Sequence, residues 1–206
     1  SDKIPEVSRV FLEQEILPIK LAYSIKYIKK NTNDTTYVKS SLSYQLEDNS
    51  WQDIDMLLRT RGNFRLEKCY FPPLKIKIKK ALSKNTIFEG NKSLKLVVPC
   101  LQQKDNSDIV IREYLAYKLF EMVSPYHFKT RLVNLTFEEE KGKKNKVHSF
   151  KGFFIEDDKT VAKRLSGNVF DGFIHPLAQE PKACVRNAFF QYMIGNTDFS
   201  QPHRHN

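Results

Sequence analysis

SLKLVVPC, residues 93–100, is the segment from which the rest of the chain is read. Leu94, Leu96 and Val98 fall on one face and Lys95 and Val97 on the other, the period-2 pattern of a half-buried strand. Lys95 is then a lone cation among apolar residues. Downstream, Asn106-Ser107-Asp108 offers a helix N-cap. IVIREYLAYKLFEMV (109–123) follows as a helix apolar around most of its circumference. Within it, Glu113 has Ile109, Val110, Ala116 and Tyr117 as helical neighbours, none of them a cation, whereas Glu121 has Lys118. A carboxylate so placed draws a cation from elsewhere in the fold, and Lys95 is the economical partner. A Glu113 that simply reaches solvent is the alternative.

Upstream of this segment the chain reads as a β meander. Residues 1–15 form a helical or irregular lead-in, and residues 16–27, 37–46 and 51–60 read as strands separated by polar turns. The third strand runs into Arg59-Thr60-Arg61-Gly62-Asn63-Phe64-Arg65. Gly-Asn tolerates positive φ, and a Gly turn framed by three guanidinium groups suits phosphate oxygens. A charged hairpin tip is the plainer reading. After Pro72-Pro73, LKIKIKK (74–80) places Leu74, Ile76 and Ile78 on one face and Lys75, Lys77 and Lys79 on the other, a pattern suited to a sheet edge.

Past the long helix, residues 128–138 and 147–156 read as two strands joined by the solvated turn EEKGKKNK (139–146). The second ends in Phe153-Phe154-Ile155-Glu156-Asp157-Asp158, an acidic connector into a short helix at 159–166. Pro181 opens another helix at its favoured first position. Cys184, Ala188, Tyr192 and Val185, Phe189, Met193 give that helix an apolar stripe, and Gly195 ends it. A polar loop carrying Asp198 and Asn206 follows. An acid and an amide in one loop suit phosphoryl transfer, the acid orienting a nucleophile and the amide holding a metal. A surface turn is the competing reading.

Composition narrows the function classes. The 206 residues, 40% hydrophobic with 15 Phe, support a real core and exclude a disordered chain. No window approaches the ~20 apolar residues of a membrane span. A net charge of +10 favours an anionic partner. The basic residues lie on strands and turns, not on a recognition helix, which argues against sequence-specific nucleic-acid binding. Cys69, Cys100 and Cys184 lack metal spacing; Cys69 and Cys100 either pair in an oxidising compartment or remain buried thiols. His203 and His205 form a weak metal-like pair.

The segments MLLRTRGNFR, FPPLKIKIKK, SLKLVVPC, REYLAYKLF, GFFIED and FQYMIGNTDFS…HN, spanning roughly residues 55–206, resemble the spore-coat CotH-like kinases, in particular a bacterial exported branch. The resemblance implies a protein-kinase-like α+β fold: an antiparallel β-sheet N-lobe with a packed helix, and the beginning of a helical C-lobe. Residues 1–54 would be a lead-in β segment, 55–158 the N-lobe, and 159–206 the start of the C-lobe. It implies ATP with Mg²⁺ or Mn²⁺, and phosphoryl transfer to a protein or other hydroxyl acceptor. Lys95 would bind phosphates and Glu113 would pair with it. The backbone near Glu156 would contact adenine, and Arg61, Gly62 and Asn63 would cover phosphates. Asp198 would be the catalytic residue and Asn206 a metal ligand. The branch implies export to the periplasm or cell surface, with a cytoplasmic location as the alternative. Export favours a Cys69–Cys100 bridge with Cys184 left over.

The sequence departs from that pattern in two places. A compact kinase catalytic loop puts the amide about five residues after the aspartate, whereas Asp198 and Asn206 are further apart. No Asp-Phe-Gly tripeptide occurs, and Asp171-Gly172-Phe173 precedes the loop. The expectation is a chain that continues past Asn206, with little catalysis from this portion alone. Two other classes compete: a non-catalytic exported binding module, and a basic domain that holds polyanions through Arg59, Arg61, Arg65 and the Lys75/Lys77/Lys79 face.

Overall fold

A computed structural model describes residues 7–102, 106–142, 144–170 and 172–200. In chain order the elements are α1 (Arg9–Leu12), β1 (Leu17–Tyr23), α2 (Ile25–Asn31), β2 (Val38–Gln45), β3 (Trp51–Thr60), α3 (Asn63–Lys68), β4 (Leu74–Lys77) and α4 (Lys80–Ser83). They continue with β5 (Ser93–Val97), α5 (Asn106–Val123), β6 (Thr130–Glu139), β7 (Lys146–Glu156), α6 (Asp158–Arg164) and α7 (Pro181–Met193).

The strands close into one barrel in the order β1-β2-β3-β4-β5-β7-β6. This corrects the expected protein-kinase-like α+β fold, an open antiparallel lobe followed by a helical lobe. Neighbouring strands are antiparallel from β1 through to β6. The seam is parallel: β1 lies along β6 from Leu17↔Val133 to Tyr23↔Glu139. A strand with ladders on both edges is a stave, not a lead-in. Parallel pairing needs a long connection, and here most of the chain serves as that connection.

Alternation along each strand fills the barrel. Leu17, Ile19, Leu21 and Tyr23 of β1 point inward with Leu42, Tyr44, Ile54, Met56, Leu58, Leu74, Ile76, Leu94, Leu96, Val133, Leu135, Phe137 and Phe154, all buried. Closure leaves no free edge in the ring. The lysine-faced segment expected at a sheet edge is in fact β4, paired with β3 and β5 on its two sides. Its lysines face outward because period 2 sends Leu74 and Ile76 into the core.

One part of the outer wall is also covered. Val97, Phe153 and Ile155 lie outside the barrel and pack with Val110, Tyr114 and Tyr117 of α5. This double burial accounts for the continuous apolar run at the end of β7. The segment after β1 is the short helix α2, so the strand expected over residues 16–27 ends at Tyr23. The apolar stripe of α7 is mostly exposed, with Phe189 72% and Tyr192 87% accessible, and the helix touches α5 through Phe190 against Phe120. Cys69 and Cys100 form a disulfide, and Cys184 is free.

Candidate functional site

Register assembles the site on the outer wall. Arg59 is the cross-strand partner of Lys75, Lys75 of Lys95, and Lys95 of Ile155. Three cations therefore stand in one rung across β3, β4 and β5, and each has its own acid. Arg59 Nη1 lies 2.9 Å from Asp34 Oδ1. Lys75 Nζ lies 2.6 Å from Asp157 Oδ2, an ion pair without hydrogen-bond geometry. Lys95 Nζ donates to Asp158 Oδ1. The two aspartates arrive together because β7 pairs with β5, so the connector leaving Glu156 turns across the lysines. Asp157 also caps α6, accepting from the Lys159 N–H at 3.3 Å.

Above the rung, the chain leaves β3 through Arg61, whose N–H donates to Pro73 O at 2.9 Å. Gly62 takes φ +75°, a conformation that side chains with a Cβ rarely adopt. The turn it makes opens α3, which swings Arg65 toward α5, where Arg65 Nη2 lies 3.4 Å from Glu113 Oε2. The half-buried Arg61 feels the charges of Asp158, Glu113 and Arg65 and the Tyr117 hydroxyl. Among the described residues its guanidinium makes no hydrogen bond or ion pair.

The electrostatics follow from this crowding. Burial holds the Arg61 pKa below its ordinary value, against the pull of Asp158 and Glu113. Burial, aided by Arg61, also lowers the Lys95 pKa, although Asp158 opposes it. Tyr117 is pushed up to about 12, first by burial and then by Glu113. At Lys95, desolvation therefore outweighs the nearby Asp158 carboxylate.

Lys95, Glu113, Arg61 and Gly62, singled out from the sequence, thus gather in one region of the outer wall. Glu113 acts on Arg61, and Arg61 on Lys95, but Lys95 and Glu113 do not pair with each other: Asp158 takes Lys95 and Arg65 takes Glu113. Asn63 opens α3, and its side chain lies outside the described residues. Glu156 is sealed, 2% exposed. Its carboxylate accepts from Arg164 at 2.7 Å and from the Lys129 N–H at 2.8 Å, and its own N–H donates to Lys129 O. Asp198 lies exposed in the turn after α7, its N–H bonded to Asn196 Oδ1 at 3.1 Å. Asn206, with His203 and His205, lies outside the described residues.

Asp157, Asp158 and Tyr117 are the members of that region that sequence reasoning missed as site residues. The acidic end of GFFIED was visible, but its partners were not. They follow only from the β5–β7 register.

The divalent metal that the sequence resemblance implies finds no ready cage here. Among the described residues, no three His, Cys, Asp or Glu side chains gather as metal ligands. The polyphosphate half of such a ligand does suit the donors present, since Arg61 lies within the field of Arg65 and acts on Lys95. No described helix is long and apolar enough to cross a membrane.

Fold and site together define a closed, mixed β-barrel with a cluster of ion-paired cations on its outer wall. No protein-family model, curated protein or solved structure matches the chain.

Proposed function

We propose that the cationic cluster binds the phosphate groups of a nucleoside polyphosphate. Arg61 and Lys95 are the principal ligands, and Arg65 is the outer one. The observation that carries this reading is the half-buried Arg61 guanidinium beside a destabilised Lys95. Holding a cation partly out of water is costly, and an anionic ligand offsets that cost.

The resemblance to CotH-like kinases adds an activity, phosphoryl transfer to a hydroxyl acceptor, with Asp198 orienting the acceptor. That step belongs to the same proposal and rests on the sequence motifs. Export from the reducing cytoplasm is part of it too, and the Cys69–Cys100 disulfide supports that location. A general polyanion surface is the second reading: Arg59, Arg65, Lys75 and Lys95 each lie beside an acid, so it would draw on the same cations.

Thermal unfolding with ATP, with and without Mg²⁺, tests the reading. The expected result is a rise in Tm that a Lys95→Ala or Arg61→Ala variant loses. Equal stabilisation of wild type and both variants would sink it. A rise that vanishes with modest salt and is matched by heparin would favour the polyanion surface instead.

A further inference from the structure

We infer that Asp157 and Asp158 form a built-in anion that occupies Lys95 and its cross-strand neighbour Lys75 and must be displaced from Lys95 before ligand binds. This rests on the phosphate-binding reading above and adds its regulation. Lys75 and Lys95 are direct cross-strand partners on one face. Two consecutive residues set one carboxylate on each. Two adjoining negative groups across two adjoining cations is the charge pattern that a pair of linked phosphoryl groups would present to the same lysines.

The two contacts are unequal. Asp157 is 8% exposed and holds the N-terminus of α6, whereas Asp158 is 28% exposed and lies within the field of Arg61. Asp158 is the part that gives way first. A ligand oxygen that takes Lys95 leaves the Asp158 carboxylate beside the incoming anion, and like-charge repulsion then drives it outward with the first turn of α6. The apparent affinity of the site is its intrinsic affinity reduced by the fraction of molecules with Asp158 displaced. The device disfavours a single weak anion and admits a ligand with several phosphoryl groups.

Titration calorimetry with inorganic tripolyphosphate, free of metal, tests this. Asp158→Asn keeps the shape and removes the charge. Asp157→Asn retains a good N-cap, so the double variant can keep α6. Asp158→Asn is expected to tighten Kd about fivefold, the equivalent of a partly exposed ion pair of ~1 kcal/mol. The double variant should bind at least as tightly as Asp158→Asn. In the wild type, tripolyphosphate should speed hydrogen exchange at the α6 amides. If Asp158→Asn binds equally or more weakly while Lys95→Ala abolishes binding, the gate is overturned and the phosphate site stands. Should neither the wild type nor Asp158→Asn bind, both fall.

Discussion

Lys75 and Lys95 stand opposite one another on β4 and β5, and the consecutive residues Asp157 and Asp158 each hold one of them. Two strands and one connector are thereby tied at a single rung. Asp157 is buried, whereas the Lys95–Asp158 tie is partly open to water and weak as a stabiliser. Asp158→Asn should change unfolding free energy by less than about 1 kcal/mol in a denaturant titration. A loss of several kcal/mol would show that the rung holds the barrel and is not poised for a ligand.

At one mouth of the barrel, Glu139 is buried and accepts hydrogen bonds from the Tyr70 hydroxyl at 2.7 Å and from His148 Nε2 at 2.9 Å. Burial alone would raise its pKa, but Tyr70, His148 and Lys141 together hold it below the ordinary carboxylate value. A carboxylate lowered in the folded state contributes stability above its unfolded pKa of 4.5 and loses it as pH falls through the folded value. Glu139→Gln should cost about 1.5–3 kcal/mol at neutral pH and flatten the acid limb of the stability curve. Chemical denaturation from pH 7 to pH 3 measures both.

The alkaline limb has the opposite sign. Tyr23 and Tyr117 both have pKa values raised chiefly by burial, Tyr117 to about 12 from 10.0. Between those values the unfolded chain has released phenolic protons that the folded chain retains, so stability falls as pH rises. Tyr117→Phe should remove part of that fall above pH ~10. Unfolding curves at pH 8 to 11, compared with the wild type, give the answer.

The Cys69–Cys100 bridge spans 31 residues of sequence. It joins the end of α3 to the chain just beyond β5, and the Cys100 carbonyl also accepts the N–H groups of Tyr70 and Phe71. Replacing both cysteines by serine should cost about 3–4 kcal/mol by loop-closure entropy. Because α3 carries Arg65, the same variant should also weaken the ATP-induced Tm rise. Retention of the full rise would show that α3 is positioned by its other contacts.

Gly152 on β7 lies under β5: a Cβ there would meet Val97 O at 2.7 Å. Gly152→Ala must push apart the two strands that set Lys95 against Asp158. A loss of about 1–3 kcal/mol is expected, together with weaker tripolyphosphate binding. Wild-type stability in that variant would mean that the β5–β7 ladder shifts freely.

Much of the local structure was legible. LKIK and SLKLV carry their alternation openly, and Leu74, Ile76, Leu94 and Leu96 are inside as read. The long helix, the lack of a cation beside Glu113 on that helix and the Gly62 turn were readable for the same reason: each depends on neighbours within a few positions. The α7 stripe misled, because i+4 spacing reports an apolar face without saying whether anything covers it.

The sequence by itself determined where the chain forms strands, which side chains each strand turns inward, and which cations are left outside. Tertiary structure decided that β1 lies along β6, which turns an expected open lobe into a barrel, and that Lys95 meets Asp158, not Glu113. The reason is physical. Alternation is a property of adjacent residues, but closure and counter-ion choice depend on register between strands distant in sequence. Lys95 presents the same charge to any acid; only the β5–β7 ladder places Asp158 within its reach.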